Sequence, residues 1–262
     1  MGIPQVTEAL LLLVLLLLGS GNDTELVPIP AGAMTPFYGV GDLQVKVDPF
    51  LLEEHPVTNS QFLKFVLLNP QWRRSQVRRV FAEKNYLAHW DSDISFAPEL
   101  ANRPVTQISW FAARAYSRQL GRRLPTQDEW EWAAQANETS AQGALDPKFR
   151  ERILTWYSRK TPAMPGLVCS VYQNLYGVWD LHGLIWEWVE DYNTVLVTGD
   201  SRGDRELDRQ MYCAAGVAGT VDPGDYAAYM RYGFRSSLEP DYAVGNLGFR
   251  CAADLAQKED KR

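Results

Sequence analysis

Cysteine, histidine and acidic side chains are the groups of this chain best suited to redox, metal or acid–base chemistry. Cys169, Cys213 and Cys251 lie far apart, so no CxxC pair indicates a zinc ribbon or a thioredoxin-like site. His89 and His182 stand alone, without the HxxxH or HxxE spacing typical of a histidine-bound metal centre. The spacing of these residues therefore predicts no metal.

The composition is that of a folded, soluble protein. The 262 residues include 26 Lys+Arg and 32 Asp+Glu, which gives a net charge of −6. A 46% hydrophobic and 22% charged composition excludes wholesale disorder. The acidic balance argues against a nucleic-acid partner, because no basic excess is present to neutralise phosphates. Three cysteines are too few for a disulfide scaffold.

An apolar run near the N-terminus predicts export. Residues 10–18 are unbroken Leu and Val, followed by Gly19-Ser20-Gly21. As a helix this run rises only about 14 Å, well short of a ~30 Å hydrocarbon core. We therefore predict a signal peptide over residues 1–21 and one domain over 22–262, periplasmic or secreted, with no membrane span after cleavage. Glu8 and the lack of a basic residue before the run leave an uncleaved anchor, or a buried core helix, as alternatives.

Helix and strand signals are concentrated in the first half of the chain. Residues 26–32 and 43–47 have the alternation of strands. Three helix starts carry N-cap residues, at Thr58, Ser109 and Thr126. Beyond Ala136 the periodicity is weak, which predicts short strands joined by loops. The fold class expected is α+β with low regular secondary-structure content.

Five motifs follow one another in a fixed order. They are residues 56–59 (PVTN), 103–110 (RPVTQISW), 122–134 (RRLPTQDEWEWAA), 177–188 (GVWDLHGLIWEW) and 246–252 (NLGFRCA). Together they resemble the formylglycine-generating enzyme, or sulfatase-modifying factor, family over residues 26–253. The resemblance implies a single compact domain, a variant of the C-type-lectin fold. The stretch 72–90, which begins with a basic cluster, resembles an exported bacterial branch without the active-site cysteine pair.

The resemblance does not extend to the family's ligands. Formylglycine-generating enzymes oxidise a substrate cysteine with oxygen and copper(I), which two cysteines bind. In this chain the second cysteine position falls near Ala227, and only Cys213 could match the first. Leu184 stands where the family's calcium site has asparagine, which removes an oxygen ligand. We therefore predict no cofactor, with both copper and calcium doubtful.

The resemblance and the polar residues nearby suggest a candidate site. Trp188 matches a tryptophan of the family's pocket, and we assign binding to Trp188, Arg231, Arg235 and Ser236. Glu239 is a candidate acid or base, and Cys213 a candidate catalytic thiol. For Arg235 a buried ion pair with Glu239 or Asp241 is an equally good interpretation.

The resemblance also suggests which cysteines could form a disulfide. Cys251 occupies a disulfide position of the secreted enzymes, but its usual helix partner falls near Ser117. Cys213 or Cys169 could replace that partner, and a Cys213–Cys251 bridge would consume the candidate catalytic thiol.

Three functions are compatible with these observations. The first is an exported maturation or modifying factor that acts on another exported protein or a peptide-like molecule. The second is a non-catalytic module that binds a peptide or another ligand in the same pocket. The third is formylglycine synthesis on a sulfatase cysteine through a single thiol. The sequence leaves open whether the protein is an enzyme.

Overall fold

The computed structural model describes residues 24–35, 44–193 and 223–255, and the side chains of 223–225 are not described. The predicted signal peptide and Cys213 lie outside the described residues. No helix in the described part of the chain is both long enough and apolar enough to cross a bilayer.

A three-stranded antiparallel sheet joins the two ends of the described chain. Strands β1 (Leu26–Ile29) and β7 (Ala252–Asp254) flank β4 (Phe50–Glu53). A separate antiparallel pair is formed by β2 (Gly32–Met34) and β3 (Val45–Val47). The alternation at 26–32 and 43–47 thus correctly predicts strands.

The three capped helices form where the N-cap residues predict them. They are α1 (Asn59–Leu68), α2 (Trp110–Gln119) and α3 (Gln127–Ala134). The side-chain oxygens of Thr58, Ser109 and Thr126 each accept a hydrogen bond from a backbone N–H of the first turn. In α1 and α3 the reciprocal bond from the cap backbone is also present, so both capping boxes are complete.

The prediction of short strands beyond Ala136 was wrong in part. The described part of this region contains two further helices, α4 (Pro147–Ser158) and α5 (Pro223–Ser236), beside the two-residue strands β5 (Trp186–Glu187) and β6 (Leu247–Gly248). The start of α4 is locally encoded: Asp146 caps it and Pro147 occupies the first helical position. Short 3-10 turns lie at Pro70–Trp72, Pro98–Leu100 and Gly143–Leu145.

One aromatic core joins these elements. Phe62 of α1 is fully buried, and its ring centroid lies 5.8 Å from Tyr116 of α2 and 6.1 Å from Phe249. Residues 246–252 are thereby packed against the N-terminal half of the chain. The basic cluster after Trp72 forms turns, and Arg74 there donates to the carbonyl of Trp90 at 2.7 Å. The architecture is α+β with modest regular content, as predicted.

Candidate functional site

The parallel pair β5–β6 forms the base of the site. Trp186 lies opposite Leu247, and its N–H donates to the Asn246 carbonyl at 2.8 Å. A Cβ at Gly248 would lie 2.4 Å from the backbone oxygen of Val105, which is closer than any real contact. Only glycine therefore lets this strand pack so closely that Trp186 and Asn246 become neighbours.

A buried ion pair lies directly behind β5. Both oxygens of Glu187 accept hydrogen bonds from Arg250 at 2.8 Å, and both side chains are 0% exposed. The indole N–H of Trp130 adds a third bond to Glu187 at 2.7 Å. Because its acceptors are occupied, Glu187 serves as a fixed support for the site.

A second buried cluster connects α3 with α5. Glu131 of α3 accepts from the guanidinium groups of Arg231 and Arg235, with closest N···O distances of 2.6 and 3.0 Å. Burial alone would raise the pKa of Glu131, but the two positive charges together lower it. Both guanidinium groups also lie over the ring of Trp130, with Arg235 4.5 Å from its centroid. The cluster therefore holds α5 against α3.

A cleft of about 420 Å³ opens between the end of α4, the loop that follows it, β5 and α5. Trp186 forms part of its wall, and its ring centroid lies 5.4 Å from Trp156, 5.3 Å from Tyr157 and 4.4 Å from Phe234. Arg231 donates to the Tyr157 hydroxyl at 3.2 Å, which ties this aromatic wall to the Glu131 cluster. Asn246 and Met230 also line the cleft. The volume and the aromatic lining are those of a ligand site.

The loop 159–171 supplies the opposite wall. Gly183, with φ at +97°, would place a Cβ 2.8 Å from Val171, so glycine is required for this wall to approach. Three apolar residues of the loop are exposed: Met164, Leu167 and Val171, at 41%, 49% and 43%. The cleft is thus edged by apolar side chains that remain in solvent.

His182 lines a separate cavity beside the cleft and is in its neutral form. Burial, with the positive charge of Arg231, lowers the pKa of His182 to about 3. Its Nε2 is 3.0 Å from the Ala134 carbonyl, which can only accept, so Nε2 carries the hydrogen. A neutral imidazole with one committed nitrogen has no role as a cation here.

The structure places the predicted tryptophan behind the cleft. Trp188 is 0% exposed, and its indole N–H donates to the Ile108 carbonyl at 2.7 Å. Trp188 therefore supports the site from the core, and direct binding by this side chain is not compatible with its position. Trp186, two residues earlier, occupies the cleft instead.

The other predicted site residues do not meet in the cleft. Arg231 and Arg235 are buried and paired with Glu131, so the ion-pair interpretation of Arg235 holds with a different partner. Ser236 donates to the Gly233 carbonyl within α5, and Glu239 is exposed. None of the four residues lines the cleft.

The two cysteines that the structure describes, Cys169 and Cys251, form no disulfide with each other. Cys251 is fully buried with its sulfur 3.2 Å from the Ser117 hydroxyl, so the resemblance correctly places these two positions side by side. Burial raises the pKa of Cys251 well above the usual thiol range, and that of Cys169 to about 11. Neither thiol is activated. The Cys213–Cys251 bridge and the catalytic role of Cys213 stay predictions, because Cys213 is outside the described residues.

The described residues do not fit the family's metals. Ala227, at the second cysteine position, is buried against Phe149 and Ile153 of α4 and offers no copper ligand. Leu184 lines the cleft, while Glu187 is already saturated by hydrogen bonds. Within the described ranges no group of three or more His, Cys, Asp or Glu side chains could hold a metal ion.

Sequence reasoning missed the wall residues of the cleft. Trp156 and Tyr157 lie at the end of α4, a helix that the Asp146-Pro147 signal could have revealed. Glu131 lies in the motif 122–134, which indicated the family but gave no role to this residue. Its partners are 100 and 104 residues away in the chain, and no local pattern encodes such a pairing.

Comparison with known proteins agrees with the motif order. The sequence model of the sulfatase-modifying factor enzyme 1-like domain matches residues 20–255. The formylglycine-generating enzyme of Streptomyces coelicolor is 31% identical over 86% of this chain and 83% of its own length. The inactive C-alpha-formylglycine-generating enzyme 2 of Bos taurus is 29% identical over 90% of both chains. The solved structure of Treponema denticola variable protein 1 aligns with a TM-score of 0.50 and 18% identity, over 90% of this chain and 97% of that one.

Proteins named as active and as inactive enzymes thus match this chain about equally well, so membership alone does not decide its activity. The family itself is shown by the domain match over residues 20–255 and by the relative that is 31% identical over most of both chains. The chain belongs to the sulfatase-modifying-factor family of formylglycine-generating-enzyme-like proteins.

Proposed function

We propose that this protein is an exported maturation or modifying factor that binds a peptide-like segment of another exported protein, without copper–thiolate oxidation. The observation that carries the proposal is the cleft beside β5, whose wall is aromatic, while the second thiolate position is a buried alanine. An aromatic cleft of this size suits an extended peptide. The missing donor argues against copper(I), which prefers two soft ligands.

A non-catalytic binding module is the second candidate, and one observation favours it. Among the described residues that line the cleft, none is a cysteine, aspartate, glutamate or histidine. These four residue types are the commonest groups of general acid–base and nucleophilic catalysis. Of the other candidates in the lining, the Ser170 hydroxyl donates to the Leu167 carbonyl at 2.6 Å, and Lys160 remains. Asn246 and the tyrosine hydroxyl can orient a ligand but are weak proton-transfer groups at neutral pH.

The decisive experiment uses a peptide containing the sulfatase motif Cys-X-Pro-X-Arg, incubated with purified protein, copper and oxygen. A known formylglycine-generating enzyme serves as the positive control, and mass spectrometry detects the aldehyde product. We expect no product from this protein. Formylglycine that disappears in Cys213→Ala would overturn the proposal and establish the single-thiol oxidase.

Export is tested separately from binding. We expect residues 1–24 to direct a fused reporter across the membrane and to be cleaved near residue 21, as N-terminal sequencing of the product would reveal. Retention of the uncleaved leader in the membrane fraction would indicate an anchored protein. A reporter that remains inside the cell would contradict export altogether.

A further inference from the structure

The cleft is locally positive although the protein is acidic. Arg159 and Lys160 line it, whereas no aspartate or glutamate of the described residues does. Both side chains are exposed, and no salt bridge joins either one to a carboxylate in the described part of the chain. In a chain of net charge −6, this wall is therefore an available site for a negative group.

The positive character continues into a neighbouring cavity. This cavity, of about 370 Å³, is lined by Lys148, Arg152 and Arg159 against a single acid, Glu151. It shares Arg159 and Trp156 with the cleft, so Arg159 lies between the two spaces. Arg152 is already engaged in a salt bridge, which leaves Arg159 and its lysine neighbours to meet a ligand.

The apolar part of the cleft determines which side chains of a ligand can lie next to its negative group. Trp186 and Trp156 provide flat surfaces whose ring centroids are 5.4 Å apart, and Pro162 and Pro165 face them from the loop. Aromatic and proline side chains pack well on such surfaces. The exposed Met164 and Leu167 extend the apolar surface beyond the cleft.

On the basis of the peptide-binding function proposed above, we infer that the cleft recognises an extended segment in which an acidic side chain neighbours an aromatic or proline side chain. Arg159 and Lys160 bind the carboxylate, and the guanidinium of Arg159 can do so through two parallel hydrogen bonds. Trp186 and Trp156 pack against the ring. The same charges oppose the arginine of the Cys-X-Pro-X-Arg motif, so the preferred partner differs from a sulfatase.

Three fluorescein-labelled peptides test this inference by anisotropy: Gly-Glu-Phe-Pro-Glu-Gly and its analogues with glutamine or lysine in place of both glutamates. We expect the glutamate peptide to bind about tenfold more tightly than the glutamine peptide, with the lysine peptide weakest. The advantage of glutamate should shrink as salt is raised, because the pair is partly exposed.

Charge reversal identifies the residues responsible. Arg159→Glu with Lys160→Glu should invert the order of the three peptides. The matched control, Arg79→Glu with Lys84→Glu, makes the same change of net charge at exposed positions outside the cleft and should leave the order intact. Equal binding of all three peptides would overturn the acidic preference while leaving peptide binding in place. Failure of every peptide to bind, in wild type as in Trp186→Ala, would overturn the proposed function as well.

Discussion

Two buried ion clusters flank the strand that carries Trp186, and they are built differently. The Glu187–Arg250 pair is balanced, one charge against one, and is wholly excluded from solvent. The Glu131 cluster sets one carboxylate against two guanidinium groups and keeps an exposure of 3–10%. In the second cluster the Nε atom of Arg235 is buried without a hydrogen-bond partner.

This difference in charge balance suggests different roles for the two clusters. In the Glu187–Arg250 pair the two charges neutralise each other, so the pair fixes β5 and the motif 246–252 in one arrangement. The cluster with an excess cation holds α5, which carries the cleft residue Met230 and also Phe234, whose ring packs on Trp186. Burial, together with the positive charge of Arg231 in this cluster, keeps His182 neutral. We therefore expect the first cluster to govern folding and the second to govern the position of the α5 wall.

The largest effect should follow from Glu187→Gln. This change leaves the Arg250 charge buried and uncompensated, which should lower the free energy of unfolding by about 3–5 kcal/mol in urea titrations. The double variant Glu187→Leu with Arg250→Met removes both charges and should recover much of that loss. A single-variant loss below about 1 kcal/mol would mean that water reaches Arg250.

In the Glu131 cluster, unlike the Glu187–Arg250 pair, replacing the acid should cost more stability than replacing one of the arginines. Glu131→Gln leaves two cations facing each other and should cost about 2–3 kcal/mol, whereas Arg235→Leu should cost about 1 kcal/mol or less because Arg231 still neutralises Glu131. Urea titrations of both variants give the comparison. Equal losses would show that the cluster acts as a balanced unit after all.

His182 should make stability depend on pH. Its folded pKa, about 3, lies below the usual 6.5, so the unfolded chain binds the extra proton between these values. The contribution of His182 to the free energy of unfolding is therefore present in full well above pH 6.5. It declines as the pH falls, by about 1.4 kcal/mol between pH 7.5 and 5.5. His182→Gln, whose amide can still donate to Ala134, should have a flatter profile over this interval. Parallel profiles would rule out His182 as the source.

The smallest effect is expected at the surface. Glu138 and Arg152 form an ion pair at 2.6 Å, but both side chains are nearly half exposed. Glu138→Gln should change the free energy of unfolding by less than about 0.5 kcal/mol, and the difference should vanish in high salt. If Glu138→Gln lowered the free energy of unfolding as much as Glu131→Gln, burial would not explain the difference between the exposed pair and the buried cluster.

Local signals predicted the parts of the fold that are local in origin. The three N-caps and the opening strand are each determined within a few residues. Motif order identified the family and correctly brought Ser117 to Cys251, although 134 positions separate them. The order of the motifs carried this long-range information because it reflects the whole fold.

Local sequence signals could not predict which way a side chain points or which distant residue it pairs with. The run Trp186-Glu187-Trp188 does not tell which indole is buried, because that depends on the carbonyl of Ile108 and on the rings brought by α4. The partner of Arg235 is chosen by the packing of α5 on α3, so neighbouring acids such as Glu239 were misleading candidates. The cleft itself depends on these two outcomes.

The three-stranded sheet places the first and the last described strands on the two sides of one short strand. Leu26 lies opposite Glu53, and Asp254 lies opposite Phe50, on the two edges of β4. Leu26 and Asp254 are thus roughly 14 Å apart, from three residues' rise along β4 and two strand spacings. A linker of about five residues could span that gap. Joining Leu26 to Asp254 in this way, in a chain trimmed to the residues between them and with new termini cut elsewhere, would produce a circular permutant that retains every strand pair of the sheet.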